Sequence, residues 1–456
     1  MSRLRAGRPL LAALFVLTLP LVTPVIRGAD EIEYFSYLRS LAFDRDLDFG
    51  NEYQRFYEAD PEGLAGFKGT FLDLREPETG RHINFAPLGS ALLWSPFYLL
   101  AHLGTLAARA LGAEVPANGF SAPYVAAVCY GSALYGFAGL LLIHDALRRW
   151  GSFPEPAASW SVAALWLGTP VLYYTTLAPA FSHACSLFSV ALLLWLGLRA
   201  NERGVRLADA TAIGGAGGLA ALVREQDVLF LAVPAALVAW EALRRHQVLA
   251  GLARLATMAA AAVVVFVPQL FAYRALNGSW GPSQMVARKM TWWSPHFLEV
   301  LFDPAHGLFA WSPLLLVASA GLLTAVAGRR ALVPALLGLA LLLQVWVNGA
   351  LESWTQAGAF GSRRFVAATP VFAWGLAGLL GGTVARRRTA PALVALVAFV
   401  WWNASLMVQF GLRLMDRQRL DWPQVAVRQV TEVPPRIGRV AWLFFTDRER
   451  LVREAR

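Results

Sequence analysis

The chain has 456 residues, 57% of them hydrophobic and only 15% charged. A soluble globular protein carries about 25% charged residues, and apolar runs near the length of a bilayer crossing recur from end to end, so the composition excludes a soluble protein and describes a polytopic helical membrane protein. The formal charge of +10 does not mark a nucleic-acid binder, because the arginines stand in short clusters between apolar runs, at Arg148-Arg149, Arg329-Arg330 and Arg386-Arg387-Arg388, where topology places them.

The N-terminal stretch "MSRLRAGRPLLAALFVLTLPLVTPVI" puts arginines ahead of an apolar run, as a signal peptide does. Arg27 stands where a cleavage site needs a small residue, so the stretch reads as a retained first crossing. Crossings are expected near 9–26, 121–147, 157–176, 182–200, 209–223, 228–243, 251–273, 308–327, 331–348, 365–384 and 390–410. Arg3, Arg5 and Arg8, with the clusters at 148–149, 199–206, 244–245, 329–330 and 386–388, belong inside. That parity holds only if 27–120 begins and ends outside. The segment 86–112 is apolar but contains Pro87, Pro96, His102 and Arg109, which are disruptive or costly on a lipid-facing span. It reads as a helix packed on the bundle at the outer interface, with a true crossing as the alternative.

The expected fold is all-α: a polytopic transmembrane helix bundle of about eleven crossings, with a long first outer loop that carries interfacial helices. One integral membrane domain covers 1–410, including the first outer loop at 27–120 with its juxtamembrane helices. A polar C-terminal tail, 411–456, is outside by parity although it is rich in arginine. Cys129 and Cys185 fall within apolar runs and read as small buried hydrophobes, with no disulfide framework.

With this topology the unusual polar residues fall on the outer side. Asp30, Glu31 and Glu33 follow the first crossing, Arg81 and His82 precede 86–112, and His183 opens the crossing after "LAPAFS". "VREQD" at 223–227 contains Arg224, the second outer loop (277–309) contains Gln284 and His306, and the third (352–365) ends on Arg363 and Arg364. An outward-facing polar cavity is the economical reading. Each group also has a plain structural reading. "D-E-I-E" fits a capping box with Asp30 as N-cap and Glu33 three residues on. Trp280, Trp292, Trp293 and Trp311 serve as interface anchors or as sugar-stacking platforms. His183 packs with a satisfied hydrogen bond, and Arg224 is a flanking charge. Arg363 and Arg364 run against the positive-inside trend, so they need an anionic lipid headgroup or a bound phosphate.

The acidic pair after the first crossing, in "GADEIEYFSYLRSL", resembles the glycosyltransferases of the C superfamily, polytopic enzymes that use polyprenyl-phosphate-linked sugars. Protein O-mannosyltransferases and the bacterial transferases that add sugars or aminoarabinose to lipid A are the members it is similar to. "NFAPLGSALLWSPF", "LAPAFSHACSLF" and "AALVREQDVLFLAVPAAL" resemble the family's interfacial segment, the start of its fourth crossing and its short crossing–Arg–short crossing. "DPAHGLFAWSPLLL" and "GAFGSRRFVAATPVFAWGLAG" look like bacterial members. The resemblance covers about 30 to 410. It departs from the pattern at Ala86, where many members have Lys, and at His183, where many have an acid. Arg81 or His82 are the substitutes for that Lys, and an acid-ligated metal is disfavoured.

The resemblance implies an inverting glycosyltransferase that moves a sugar from a polyprenyl-phosphate donor to an envelope lipid, glycan or protein. It would lie in a bacterial inner membrane with its site facing the periplasm or exterior. Asp30 is the expected general base and Glu31, about 100° around the helix, the second candidate. His82, His183, Arg224, Gln284, His306, Arg363 and Arg364 are the expected substrate-binding residues. No resident metal or other cofactor is assigned, with a divalent metal left open. The expected partners are the lipid-linked donor and membrane lipids, with no nucleic acid, and the chain is expected to be a monomer. A transporter or flippase of a lipid-linked glycan is the alternative, which predicts repeat symmetry and mid-membrane polar groups that the sequence lacks. A non-catalytic envelope scaffold is a third reading.

Overall fold

In the computed structural model, residues 7–328, 331–356, 358–387 and 389–455 are described. The expected inner arginines Arg3, Arg5, Arg329, Arg330 and Arg388 lie outside them. The described residues are mostly helical, and an isolated antiparallel bridge joins Arg75 to His82. Among the described residues, eight helices are long and apolar enough to cross a membrane, and three shorter apolar ones accompany them at Gly7–Leu21, Leu207–Val223 and Pro313–Val326. The protein is therefore a multi-pass membrane protein.

The chain divides into two compact units. The first holds the chain up to Leu21, Leu140–Tyr173 and everything from Thr291. Its helices are α1 (Gly7–Thr18), the second half of α5 (Ala122–Arg149), α6 (Glu155–Leu167), α11 (Pro313–Val326), α12 (Leu332–Ala350), α13 (Thr369–Ala385), α14 (Thr389–Gly411) and the tail helices α15 (Trp422–Thr431), α16 (Val433–Thr446) and α17 (Arg448–Ala455). The crossing expected at 157–176 ends early, at Leu167, because Thr169 caps a new turn by accepting from the Val171 N–H and Pro170 cannot continue the old one. α11 and α13 approach closely: a Cβ on Gly375 would lie 2.0 Å from the Ala318 carbonyl, and one on Gly321 2.2 Å from that of Gly375.

Polar contacts mark the two ends of this unit. Arg8 pairs with Asp145 at 3.0 Å, so the start of α1 and the end of α5 share one end, as the arginine pattern requires. The tail sits at the other. Arg448 Nη2 donates to the Pro20 carbonyl at 2.9 Å, the Leu420 N–H to that of Pro304 at 3.0 Å, and the Gly358 N–H to Gln418 Oε1 at 2.9 Å.

The second unit holds Val22–Gly139 and Tyr174–Met290. It contains α2 (Ala29–Arg39), α3 (Gly50–Ala59), α4 (Gly89–Ala110), the first half of α5, α7 (His183–Arg203), α8 (Leu207–Val223), α9 (Ala232–Arg244) and α10 (Val248–Asn277). α8 presents Gly214 and Gly218 to α10, where added Cβ atoms would lie 2.1 Å from the Met258 carbonyl and 2.5 Å from the Ala262 carbonyl. This small-xxx-small spacing lets two membrane helices meet backbone to backbone.

α4, the segment read as interfacial, has the length and hydropathy of a crossing. Its contacts with α5 are staggered. The Leu93 carbonyl accepts from Tyr135 Oη and Trp94 Nε1 donates to Ser132 Oγ, while His102 meets Tyr124 Oη near the first residue of α5. The last two turns of α4 therefore run past the start of α5, and α4 overlaps only the first half of that helix.

Candidate active site

The site begins with the local chemistry of "RGADEIEY". Gly28, extended at φ −85°, is the N-cap of α2, two residues earlier than the cap expected at Asp30. The Asp30–Glu33 capping box expected from the sequence is not formed. Glu31, at the third helical position, turns its carboxylate back to accept from the Arg27 and Gly28 N–H groups, both at 2.8 Å. The Gly28 N–H is one of the donors that a helix start leaves unsatisfied. Glu31 is buried, and burial pushes its pKa up to about 7 against the lowering pull of the two N–H bonds.

The three acids thus have three placements. Glu33, also buried, accepts from the Phe85 N–H at 2.6 Å, while its backbone carbonyl accepts from Asn84 Nδ2 at 3.1 Å. It pins the Pro-rich segment that leads into α4. Asp30 stays half-buried at the helix start, with Tyr34 one turn further on the same face.

Tyr34 is the hub that the sequence reading missed. Its hydroxyl accepts from Ser182 Oγ at 2.9 Å, and Ser182 Oγ accepts from Arg224 Nη1 at 3.3 Å. Burial pushes the Tyr34 pKa up to about 12, opposed by the Arg224 charge, with Asp30 and Glu33 as its acidic neighbours. The phenol therefore stays protonated at neutral pH. Three chain segments meet here. α2 brings Asp30 and Tyr34, the turn before α7 brings Ser182, and the break after α8 brings Arg224. That break exists because Arg224 is extended (φ −152°) and a 3-10 turn follows at Glu225–Leu231. Asp227 is tied back by a hydrogen bond from Ser186 Oγ. The one sequence signal for Tyr34 was its i+4 spacing from Asp30. Ser182 carried none, since a serine before a helix reads as a cap.

His183 adjoins this junction in a buried aromatic nest, edge-on to Tyr174 at 4.6 Å and stacked with Phe181 at 5.8 Å. Phe181 in turn covers Gly28, where an added Cβ would meet its ring at 3.0 Å. His82 is not brought to the start of α2: its Nδ1 lies 2.8 Å from Asp48 Oδ1, beneath α3 and edge-on to Tyr53. Gln284 is exposed on a one-turn helix whose cap, Ser283, binds buried Glu76 at 3.2 Å.

The remaining expected residues belong to the other unit. His306, at φ +69° in the "DPAHG" turn, stacks on Trp311 at 4.8 Å and donates through Nε2 to the Ala359 carbonyl at 2.7 Å. Burial holds its pKa below the ordinary imidazole value, so it is a neutral turn-holder. Trp311 is buried against Phe360 and Phe410, and so is not an interface anchor, whereas Trp293 is almost wholly exposed. Arg363 and Arg364 open a 3-10 turn; the Arg364 N–H donates to Gln356 Oε1 at 3.2 Å, and its Nη2 lies 3.5 Å from Ser353 Oγ. Among the described residues no three His, Cys, Asp or Glu side chains gather so as to hold a metal ion.

No protein-family model matches the chain, and no curated protein matches its sequence. Among solved structures, that of ArnT from Cupriavidus metallidurans bound to undecaprenyl phosphate is similar, with a TM-score of 0.54 and 17% identity over 98% of this chain and 73% of that one. The apo form of the Archaeoglobus fulgidus oligosaccharyltransferase aligns with a TM-score of 0.48 and 13% identity, over 97% of this chain and 60% of that one. The likeness to the ArnT structure is one of fold: this chain shares its polytopic helical membrane architecture.

Proposed function

We propose that this chain is an inverting membrane glycosyltransferase that moves a sugar from a polyprenyl-phosphate donor to an acceptor hydroxyl on the outer face of a bacterial inner membrane. The observation that carries the reading is the junction of Asp30, Tyr34, Ser182 and Arg224, which sets a carboxylate and a guanidinium around two linked hydroxyls. The shared fold with a protein bound to undecaprenyl phosphate supports a polyprenyl-phosphate lipid as partner.

The acceptor oxygen attacks the anomeric carbon and the bond from that carbon to the phosphate oxygen breaks. The bonding pair leaves with the polyprenyl phosphate, and the hydroxyl proton passes to Asp30. Such a displacement passes through an oxocarbenium-like state, as glycoside hydrolysis does. A positioned base contributes about 10²–10⁴-fold. The leaving phosphate is anionic and needs a cation, not a proton donor, which is the task of Arg224. Arg363 and Arg364, in the other unit, are proposed to bind an anionic headgroup or phosphate. Glu31 is left to hold the start of the helix.

Purified protein in lipid nanodiscs, incubated with a panel of polyprenyl-phosphate sugars and an envelope extract, should release polyprenyl phosphate and give a product of inverted anomeric configuration. Transport of the lipid-linked sugar across a vesicle membrane without cleavage would overturn the proposal in favour of a flippase.

A further inference from the structure

The tail helices leave one face uncovered. On α16, Ile437, Trp442 and Phe445 are 38%, 68% and 58% exposed, and Pro434 and Ala441 are exposed beside them. At about 100° per residue these five fall within one sector of roughly 140°, while Leu443, which is buried, points the other way. α15 adds Val427 and Val430, 60% and 75% exposed. The tail from Leu412 to Arg456 contains ten arginines against six acids. Arg436 and Arg439 stand on the side of α16 away from the apolar face, paired with Glu432 and Glu454.

What covers this face is indicated by where the tail is held. Trp422 at the start of α15 stacks on Trp402 of the apolar helix α14 at 4.6 Å, and buried Gln409 of α14 donates to the Val425 carbonyl at 3.3 Å. Arg448 of α17 binds the Pro20 carbonyl, where the first apolar helix ends. The tail is therefore fastened along the C-terminal half of α14 and to the end of the first apolar helix, which sets it at the depth of helix ends, where hydrocarbon gives way to headgroups. An amphipathic helix with aromatic residues on one side and arginines on the other, held at that depth, lies in the plane of the interface. We infer that α15–α17 form an interfacial collar whose apolar face enters the bilayer between headgroups and whose surplus arginines bind anionic phospholipid. This also accounts for a basic tail on the side where the positive-inside rule does not want one: the charge is matched by headgroups, not by topology.

The inference is independent of the proposed reaction, and its test reads position. The two native cysteines are buried, so single cysteines at 441, 445 and 436 of the full-length protein can carry an environment-sensitive fluorophore. Residue 436 lies about 140° around the helix from 441. In nanodiscs that hold one copy each, the probes at 441 and 445 should emit to the blue of the probe at 436. Quenching by a spin label near the top of the acyl chain should be stronger there by about twofold or more. Replacing phosphatidylglycerol by phosphatidylcholine should weaken that quenching. Water-like emission at 441 and 445 would overturn the inference, as would protection that appears only when two copies share a disc, which would assign the face to a second chain. Quenching indifferent to lipid charge would overturn the arginine part.

Discussion

The carboxylate of Glu31 closes onto the backbone N–H of Gly28 at 2.8 Å, and this bond separates two acids that are adjacent in the chain. Because Glu31 caps α2, its neighbour Asp30 is not required as a cap. Glu31→Gln keeps an acceptor at the third helical position, where Gln also serves, and should leave transfer near the wild-type rate. Asp30→Asn keeps size and polarity but removes the proposed proton acceptor, and should lower transfer by about a hundredfold or more while the protein still binds donor. Steady-state release of polyprenyl phosphate checks both. The reverse ranking would move the base to Glu31.

The proposed phosphate contact has its own signature. Arg224→Ala should weaken use of the lipid-linked donor by roughly 1.5–3 kcal/mol, the worth of a charge-assisted hydrogen bond, seen mainly in kcat/KM. Ser182→Ala removes the bridge between Arg224 and Tyr34 and should give a smaller loss in the same parameter. Donor kinetics equal to wild type in Arg224→Ala would return this arginine to a flanking charge.

Glu31 and Glu52 give the fold a pH dependence. Burial raises both from about 4.5 to about 7, with Arg39 opposing the shift at Glu52 from 2.9 Å. Between those values the unfolded chain has lost the two protons while the folded chain still binds them. Stability therefore falls as pH rises from about 4.5 through 7. Thermal unfolding in detergent should show the midpoint dropping across that window, with the slope reduced in Glu31→Gln and in Glu52→Gln. A midpoint that rises from pH 5 to 8 would contradict this.

The contact of α8 with α10 rests on glycines that have no room for a methyl group. Gly214→Ala forces a Cβ to within 2.1 Å of the Met258 carbonyl unless the helices part, and overpacking of this kind costs about 1–3 kcal/mol. Gly215→Ala, whose Cβ would meet its nearest neighbour at 3.9 Å, should be neutral or stabilising, since alanine is the better helix former. The unfolding midpoint should fall in Gly214→Ala and hold or rise in Gly215→Ala.

Cysteines introduced near 60 and 355 should react with a membrane-impermeant thiol reagent added outside, and one near 204 should not. A cysteine at 115, in the turn after α4, should also react from outside, since α4 overlaps only the first half of α5. Labelling at 115 from the cytoplasmic side alone would make α4 a crossing.

The sequence by itself determined the class of the molecule. Apolar runs of crossing length and scarce charge admit only a helical membrane protein, because a spanning backbone must satisfy its own hydrogen bonds. The arginine clusters also foretold which ends belong together, as Arg8 with Asp145 shows. The acids after the first crossing pointed to the start of α2 for a chemical reason, that an N-terminal turn gathers carboxylates. The division of labour among them was not legible. Moving the N-cap by two residues, from Asp30 to Gly28, exchanges cap and candidate base, and one-residue boundaries lie below what periodicity resolves. Nor could spacing along the chain join Tyr34 to Ser182, 148 residues away, or keep His82 with Asp48. Those pairings depend on which helix ends meet, and that is decided by tertiary packing, where Gly214 and Gly218 let backbones touch and Arg224 breaks a helix at the level of the site.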